Sequence, residues 1–296
     1  MSDVSGNQLV CIVGCPRSGT TWLQRLLAGH PRVRTGQESD VFDIYVGPQL
    51  RAWRRELDPT ASGRGGVGLG CYLDDPAFVR ILKRYALDLL DPMLGSLGPG
   101  DLFVEKTPSH ALYIPEIVEL FPATRFVHVL RDARDTVASL LGAARSWGRG
   151  WAPRRARGAA HMWVSHVQAV RQAATRLPTH QLFEVRYEEL HTHGARVLRD
   201  VVAWLGLDWG AADVERALEA NRPEVARAGG GTPIPLGGAF GQRFGRAVVK
   251  EPPGFVRAAR VGTWRDELTP LDRLIVWRVA GPMMAEVGYP WPRPWR

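Results

Sequence analysis

Hydrophobic positions along the chain fall into two kinds of run. One kind is short and unbroken: Leu9 to Val13, the LFVEK segment that follows Asp101, Arg125 to Leu130, and Gln181 to Val185. Apolar runs of that length between polar or glycine-bearing turns predict strands buried on both faces. The other kind recurs every third or fourth residue. Trp22, Leu23, Leu26 and Leu27 form one such stripe, and Thr136, Val137, Leu140 and Leu141 another. Longer helical stretches run from Ala159 to Arg176 and from Pro270 to Val287. The first helix is expected to end near Gly29, before His30 and Pro31. Pro108 and Ser109 open a helix through Leu120, Asp132 caps one running to about Trp147, and another follows Tyr187 and ends near Gly206. Strands alternating with helices predict an α/β fold with a central parallel sheet flanked by helices. Ligands of such sheets bind beyond the carboxyl ends of the strands.

Two stretches lack this periodicity. Residues 32 to 46 run past Glu38 into an apolar patch of Val41, Phe42, Ile44 and Tyr45, and helical stretches near 48–57 and 76–94 then flank the glycine-rich SGRGGVGLG. Residues 40–100 are expected to be an acceptor-specific insertion. Residues 221–262 are rich in Gly, Pro and Arg, and a segment this long without secondary structure of its own suggests a mobile lid. With no internal repeat, the 296 residues are expected to form one domain.

Composition narrows the partners rather than the fold. Hydrophobic residues at 45% and charged residues at 23% suit a globular chain with a full core. A net charge of +8, with a pI near 9.9, suits an acidic ligand without saying which. Part of the excess lies in clusters at Arg51, Arg54 and Arg55 and at Arg154, Arg155 and Arg157. Three cysteines, Cys11, Cys15 and Cys71, have no metal-ligand spacing and read as reduced thiols. With no basic leader, no apolar signal segment and no membrane-length run, the expectation is a soluble cytoplasmic protein with no membrane span.

The stretch VCIVGCPRSGTTWLQRLL, Val10 to Leu27, carries the chemistry. A buried strand stops at Gly14, a loop passes through Pro16, Arg17, Ser18 and Gly19, and a helix begins. Unpaired N–H groups at such a helix start converge on one point, where the dipole favours an anion. Gly19 allows close approach, Ser18, Thr20 and Thr21 add hydroxyls, and Arg17 adds a forked cation. Gly14 to Gly19 fits the spacing of a nucleoside-triphosphatase phosphate loop. Thr20, however, stands where the lysine of that loop belongs. The words PRSGTTW instead resemble the 5′-phosphosulfate loop of sulfotransferases that use 3′-phosphoadenosine 5′-phosphosulfate (PAPS). That family's three-layer fold is P-loop-like, with a central parallel sheet.

Further segments extend the resemblance. LRDARDTVASL is similar to the family's 3′-phosphate segment, which places Arg131 and Ser139 on that phosphate. Independently, a guanidinium and a hydroxyl near a strand's carboxyl end make a second anion site. Tyr187 in VRYEEL resembles the residue that contacts adenine, and Trp22 completes the loop motif. Arg260, Gly262 and Thr263, in RVGTW, resemble the late loop that closes over the nucleotide. Lys106 in FVEKTPSH resembles the lysine that neutralises the bridging oxygen as the sulfuryl group leaves. Cytosolic members carry a catalytic histidine two positions later, and here that position is Pro108. The segment from Arg17 through HPRVRTGQE resembles tyrosylprotein and heparan-type enzymes, in which a glutamate follows the loop. That makes Glu38 the expected base, with Glu105 and His110 as rivals. The resemblance covers roughly 9–38, 101–145, 181–206 and 257–268.

The resemblance implies in-line attack by an acceptor hydroxyl on the sulfur of PAPS. Arg17 would stabilise the 5′-phosphate, Lys106 the bridging oxygen and Glu38 the acceptor proton, with no metal. The acceptor is left open among a small metabolite, a carbohydrate and a lipid, and no nucleic-acid partner is expected. The alternatives are a P-loop kinase, a nucleic-acid-binding module and a non-catalytic PAPS-binding protein.

Overall fold

The computed structural model describes residues 8–58, 60, 67–94, 97–236, 247–256 and 260–289. Parts of the expected insertion and lid, at 61–66, 237–246 and 257–259, lie outside the described residues. Five parallel strands, β1 (Leu9–Gly14), β2 (Val33–Thr35), β3 (Leu102–Lys106), β4 (Arg125–Leu130) and β5 (Leu182–Arg186), stand in the order β2-β3-β1-β4-β5. The strand β1 is central, and both of its edges are paired: Ile12 is in register with Lys106 of β3 and Val127 of β4. This places the ends of β1, β3 and β4 side by side.

Alternate residues of β1 enter different cores, as a strand's two-residue period requires. Leu9, Cys11 and Val13 pack on one side with Phe42, Leu50, Phe103 and Phe126, while Val10 and Ile12 pack on the other with Leu23, Leu26 and Leu27. A third cluster joins the helices Ala133–Arg145, Ala156–Ala174 and Pro270–Glu286 around Trp163. From within 40–100, Phe42, Val46, Leu50, Trp53, Leu82 and Leu90 all enter the cluster that holds Leu9, Cys11 and Val13 of β1.

The elements follow the sequence pattern with local differences. The helix expected from Pro108 splits into a tight turn, Pro108–Tyr113, and a helix, Ile114–Leu120. Pro115, near the start of that helix, has no N–H to continue the earlier turn. Asp132 does cap its helix, accepting from the Arg134 N–H, and that helix ends at Arg145. The strand β2 and the helix Ala211–Ala220 carried no signal in the pattern above. Val41–Val46 forms a wide π-type turn that leads directly into the helix Gly47–Leu57. Among the described residues, no helix is long and apolar enough to cross a membrane.

Candidate functional site

The loop after β1 has the geometry its residues demand. Gly14 has φ 153°, and a Cβ there would lie 2.6 Å from the Val129 carbonyl oxygen, so only glycine lets β1 and β4 run this close. Gly19 has φ 100°, and a Cβ there would meet the Tyr187 ring at 2.5 Å. Helix α1 (Thr20–Leu27) starts at that glycine: the N–H groups of Trp22 and Leu23 return to the Gly19 carbonyl. The preceding N–H groups open the helix as an anion site.

A cleft open to solvent lies over this loop, with about 1090 Å³ of empty space counted out through its mouth. Arg17, Gly19, Thr20, Thr21, Trp22, Arg131, Ser139 and Tyr187 all line it. Residues more than a hundred positions apart in sequence are therefore brought to one cavity. Ser18 is the exception within the loop; it is buried outside the cleft lining, and its N–H bonds to the Cys15 carbonyl.

Arg131 is committed to this cleft rather than to neighbouring acids. Asp132 caps its helix and pairs with Arg134, and Asp135 accepts from the N–H groups of Gly262 and Trp264. Arg131 instead donates to the carbonyls of Arg17 and Arg260 and stacks on Tyr187, its Cζ 4.1 Å from the ring centroid. Its Nε is buried with no hydrogen-bond partner among the described residues. A buried guanidinium N–H left in that state favours an anionic oxygen beside it.

Arg17 takes φ 75°, and its guanidinium meets residues from outside the loop. Its Nε donates to Ser139 Oγ at 3.3 Å and its Nη2 to the Phe255 carbonyl, and it stacks between Trp147 and Phe255. Arg17 thus joins Ser139, through its Nε, and Arg131, through its carbonyl, along one wall of the cleft. Of the late-loop residues, Arg260 offers a carbonyl to Arg131, and Gly262 and Thr263 are fastened to Asp135. None of the three lines the cleft. Trp264 is buried against Arg134 as a packing residue.

Arg25, His191, Asn221, Glu251 and Phe255 also line the cleft, though none was given a role above. Arg25 donates to the Thr232 carbonyl and pairs with Glu251 at 3.4 Å, while Trp22 Nε1 donates to the Asn221 carbonyl. Through these bonds α1 carries the described parts of 221–256 as a cover on the cleft, with Phe255 over Arg17. A helical period was available as a signal for two of them, since Arg25 follows Thr21, and His191 follows Tyr187, by four residues.

Glu38 and Lys106 meet on the other side of β1. Lys106 Nζ donates to Glu38 Oε1; the lysine side chain is 3% exposed and the glutamate 41%. Neither lines the cleft. Gln24, buried on α1, donates to Thr35 Oγ1 and to the Gly36 carbonyl, each at 2.7 Å, and so steers the chain from β2 toward Glu38. The two rival bases, Glu105 and His110, are paired with each other in the interior, Oε2 to Nδ1 at 2.8 Å. Burial pushes the Glu105 pKa up, but His110, Thr107 and Ser39 outweigh it and hold the carboxyl below its usual value. Burial pushes His110 down, yet the Glu105 charge and hydrogen bonding to Asp43 and Cys11 leave it well above the ordinary imidazole value. Asp43 is drawn below its usual range against its own burial by His110 and Ser109. Among the described residues, no group of three or more His, Cys, Asp or Glu is placed to hold a metal ion.

Comparison with known proteins places this architecture. The model of the sulfotransferase family matches residues 10–211. A fruit-fly (Drosophila melanogaster) protein-tyrosine sulfotransferase is 24% identical over 73% of this chain and 41% of its own length. The zebrafish (Danio rerio) protein-tyrosine sulfotransferase 1 is 24% identical over 95% of this chain and 72% of its own. The chain thus spans less than half of the fly relative. A mouse sulfotransferase solved as a complex with PAP superposes with a TM-score of 0.58 at 15% identity, covering 95% of this chain and 87% of that one, a likeness of fold.

Proposed function

Because the chain belongs to the sulfotransferase family, we propose that it transfers the sulfuryl group of PAPS to an acceptor hydroxyl. The observation that carries this reading is the buried, unpartnered Nε of Arg131 in a cleft that also presents Arg17, Ser139 and the start of α1. A nucleotide with phosphates at both its 5′ and 3′ positions supplies anionic oxygens to both the helix start and the arginine wall. Tyr187 and Trp22, 5.7 Å apart edge to face, offer aromatic surface to its base.

PAPS supplies a sulfur carrying a good leaving group. As the acceptor oxygen bonds to that sulfur, the bond from sulfur to the bridging phosphate oxygen breaks, and its electron pair leaves with the bisphosphate. Lys106 stands at the end of β3, beside the start of the phosphate loop, where it can neutralise charge growing on the bridging oxygen. Glu38 is the most exposed carboxylate of its group and takes the acceptor proton. Its ion pair with Lys106 ties the two roles together.

For the acceptor, the names of the relatives add the tyrosine hydroxyl of a protein to the small metabolite, carbohydrate and lipid hydroxyls expected from the sequence. The deciding experiment incubates the protein with PAPS and tyrosine-containing peptides, phenols, saccharides and hydroxylated lipids, and follows the mass of an added sulfo group. Modification of one class supports the reading. No modification of any class, with no release of bisphosphate, would overturn it. We also infer that 1–296 works as one unit, that 40–100 shapes the acceptor side and that 221–262 is the cover of the cleft. A cytoplasmic location remains part of the proposal, tested by fractionating cells that express the chain.

A further inference from the structure

Glu38 lies in an irregular segment, Gly36 to Asp40, and its side chain is substantially exposed. Lys106 is fixed by a strand and by burial. An ion pair between a fixed cation and a carboxylate on a free loop would be short-lived, since ordering a loop residue costs about 1–2 kcal/mol. Something must hold the loop, and the chain immediately beyond Lys106 supplies it.

Ser39 donates from its hydroxyl to Glu105 Oε1 at 2.8 Å, and its N–H reaches Thr107 Oγ1 at 3.2 Å. The Asp40 N–H also reaches Thr107 Oγ1, at 3.4 Å, and Thr107 donates to Glu105 Oε1 at 2.7 Å. In the neutral ring, with Nδ1–H on Glu105, His110 Nε2 accepts the Phe42 N–H at 3.2 Å, a bond the imidazolium form gives up, and in either form the ring lies edge to face on Phe42. Three side chains close to Lys106 in sequence thus receive donors from Ser39, Asp40 and Phe42, within the four residues that follow Glu38. Asp40, between them, takes φ 52°, a left-handed conformation that a non-glycine residue keeps only when its surroundings impose it.

Pairing and burial argue against a direct part in proton acceptance. Glu105 is 2% exposed, Thr107 1% and His110 0%, and Glu105 and His110 already answer each other, whereas Glu38 is 41% exposed. An interior carboxylate and imidazole are costly to desolvate, and apolar residues of similar size would fill the space without that cost. Their presence calls for a specific arrangement that depends on their polarity.

We propose that Glu105, Thr107 and His110 are positioning residues that clamp residues 39–42 onto the end of β3 and thereby hold Glu38 against Lys106. The proposal rests on the reading that Glu38 and Lys106 serve sulfuryl transfer. It moves Glu105 and His110 from rival bases to the support of the base.

The test combines two measurements on the whole chain. Thr107→Val keeps size and removes the hydroxyl that both N–H groups use; His110→Gln keeps an acceptor for Phe42. Thr107→Val should speed amide exchange at Ser39 and Asp40 and lower kcat by about 10–10², the scale of a small misplacement. Affinity for 3′,5′-adenosine bisphosphate should not change, and Thr107→Ser should restore both exchange and kcat. The kcat readout is bisphosphate release from PAPS with a tyrosine peptide, or with whichever acceptor is modified. His110→Gln should be milder than His110→Ala in exchange at Phe42. Unchanged exchange at 39–42 in Thr107→Val and His110→Ala overturns the clamp, as does faster exchange with an unaltered kcat. If His110→Ala does not fold, Thr107→Val alone decides. The exchange arm needs no activity, so it tests the clamp even if Glu38→Gln proves fully active and the transfer reading fails.

Discussion

The two sides of β1 are built on opposite plans. Toward β4 and β5 lies a cleft of cations and aromatic faces: Arg17, Arg131 and Arg25 with Tyr187, Trp22 and Phe255. Toward β3 and β2 lies a knot of acids, Glu38, Asp40, Asp43 and Glu105, around one lysine and one histidine. On the first side the Arg131 Nε has no hydrogen-bond partner among the described residues, and on the second Ser39, Asp40 and Phe42 reach neighbouring side chains. Burial also lifts the Asp40 pKa, helped by Asp43 and Glu38 nearby, so acids crowd each other there. The contrast separates two tasks. An anion is received on one side of the central strand, and a proton acceptor is held in place on the other.

If that division is right, mutations should fall into two kinetic classes, and the largest effect belongs to the acidic side. Glu38→Gln keeps the shape and the bond to Lys106 while removing proton acceptance. Turnover should fall by about 10²–10⁴, with bisphosphate affinity nearly unchanged. Lys106→Ala should likewise reduce kcat more than affinity, because its partner charge develops in the transition state. Steady-state kinetics beside calorimetric titration reads both. A Glu38→Gln enzyme of normal turnover would break the comparison.

The cleft side should answer in affinity. Arg131→Ala removes a charge-assisted contact worth about 1.5–3 kcal/mol, a loss of roughly 10- to 150-fold for 3′,5′-adenosine bisphosphate. The same change should matter much less for AMP, which lacks the 3′-phosphate, and the native chain should prefer the bisphosphate. Arg17→Ala is the sharper probe, because its guanidinium rests on Ser139. Equal affinities for AMP and the bisphosphate would mean the wall does not read a second phosphate.

A smaller effect distinguishes the sides through pH. Glu105 has a lowered pKa in the fold, so its stabilisation is complete above the unfolded carboxylate value, about 4.3, and is lost as pH falls through the folded value. His110 has a raised pKa, so its stabilisation is complete below about 6.5 and is lost as pH rises through its folded value. The pair therefore contributes most between those two limits. Denaturant midpoints across pH should show the difference between the native chain and a Glu105→Gln, His110→Gln double variant peaking in that window. A difference flat with pH would mean the pair is not ionised in the fold. Arg131→Ala should show no such peak.

How much of this was legible depends on how local each device is. The phosphate loop is contiguous, so glycine, hydroxyls, arginine and helix start could all be read together, and β4 with Arg131 and Ser139 is one further contiguous segment. Glu38 and Lys106 were found separately, and only folding showed them paired across 68 positions. The clamp was unreadable because Glu105, Thr107 and His110 answer backbone N–H groups, which carry no residue signature. Strand β2 was hidden because three residues are too few to display a period. Arg17 was legible as a cation of the loop, but its contacts with Ser139, Trp147 and Phe255 were not, because sequence says nothing of a rotamer. Trp147 and Phe255, which stack on it, come from segments with no motif.

The finest test of the contrast concerns the cover of the cleft. Its described parts are held by polar bonds to α1 and the loop: Trp22 to Asn221, Arg25 to Thr232 and Glu251, and Arg17 to Phe255. Such bonds are each worth about 0.5–1.5 kcal/mol net, and ordering the chain they join opposes them, so the cover should open readily in the free protein. The clamp on the other side has its polar groups buried, and it should stay protected with or without ligand. Saturating bisphosphate should then slow hydrogen exchange across 221–256, most at 247–256, where Phe255 meets Arg17, and leave 39–42 almost unmoved. The gain in affinity should be less than the new contacts suggest, because the ligand must order the cover. Unchanged protection across 221–262 would show that the segment is no lid. An equal change at 39–42 would show that the two sides of β1 are one cooperative unit rather than two.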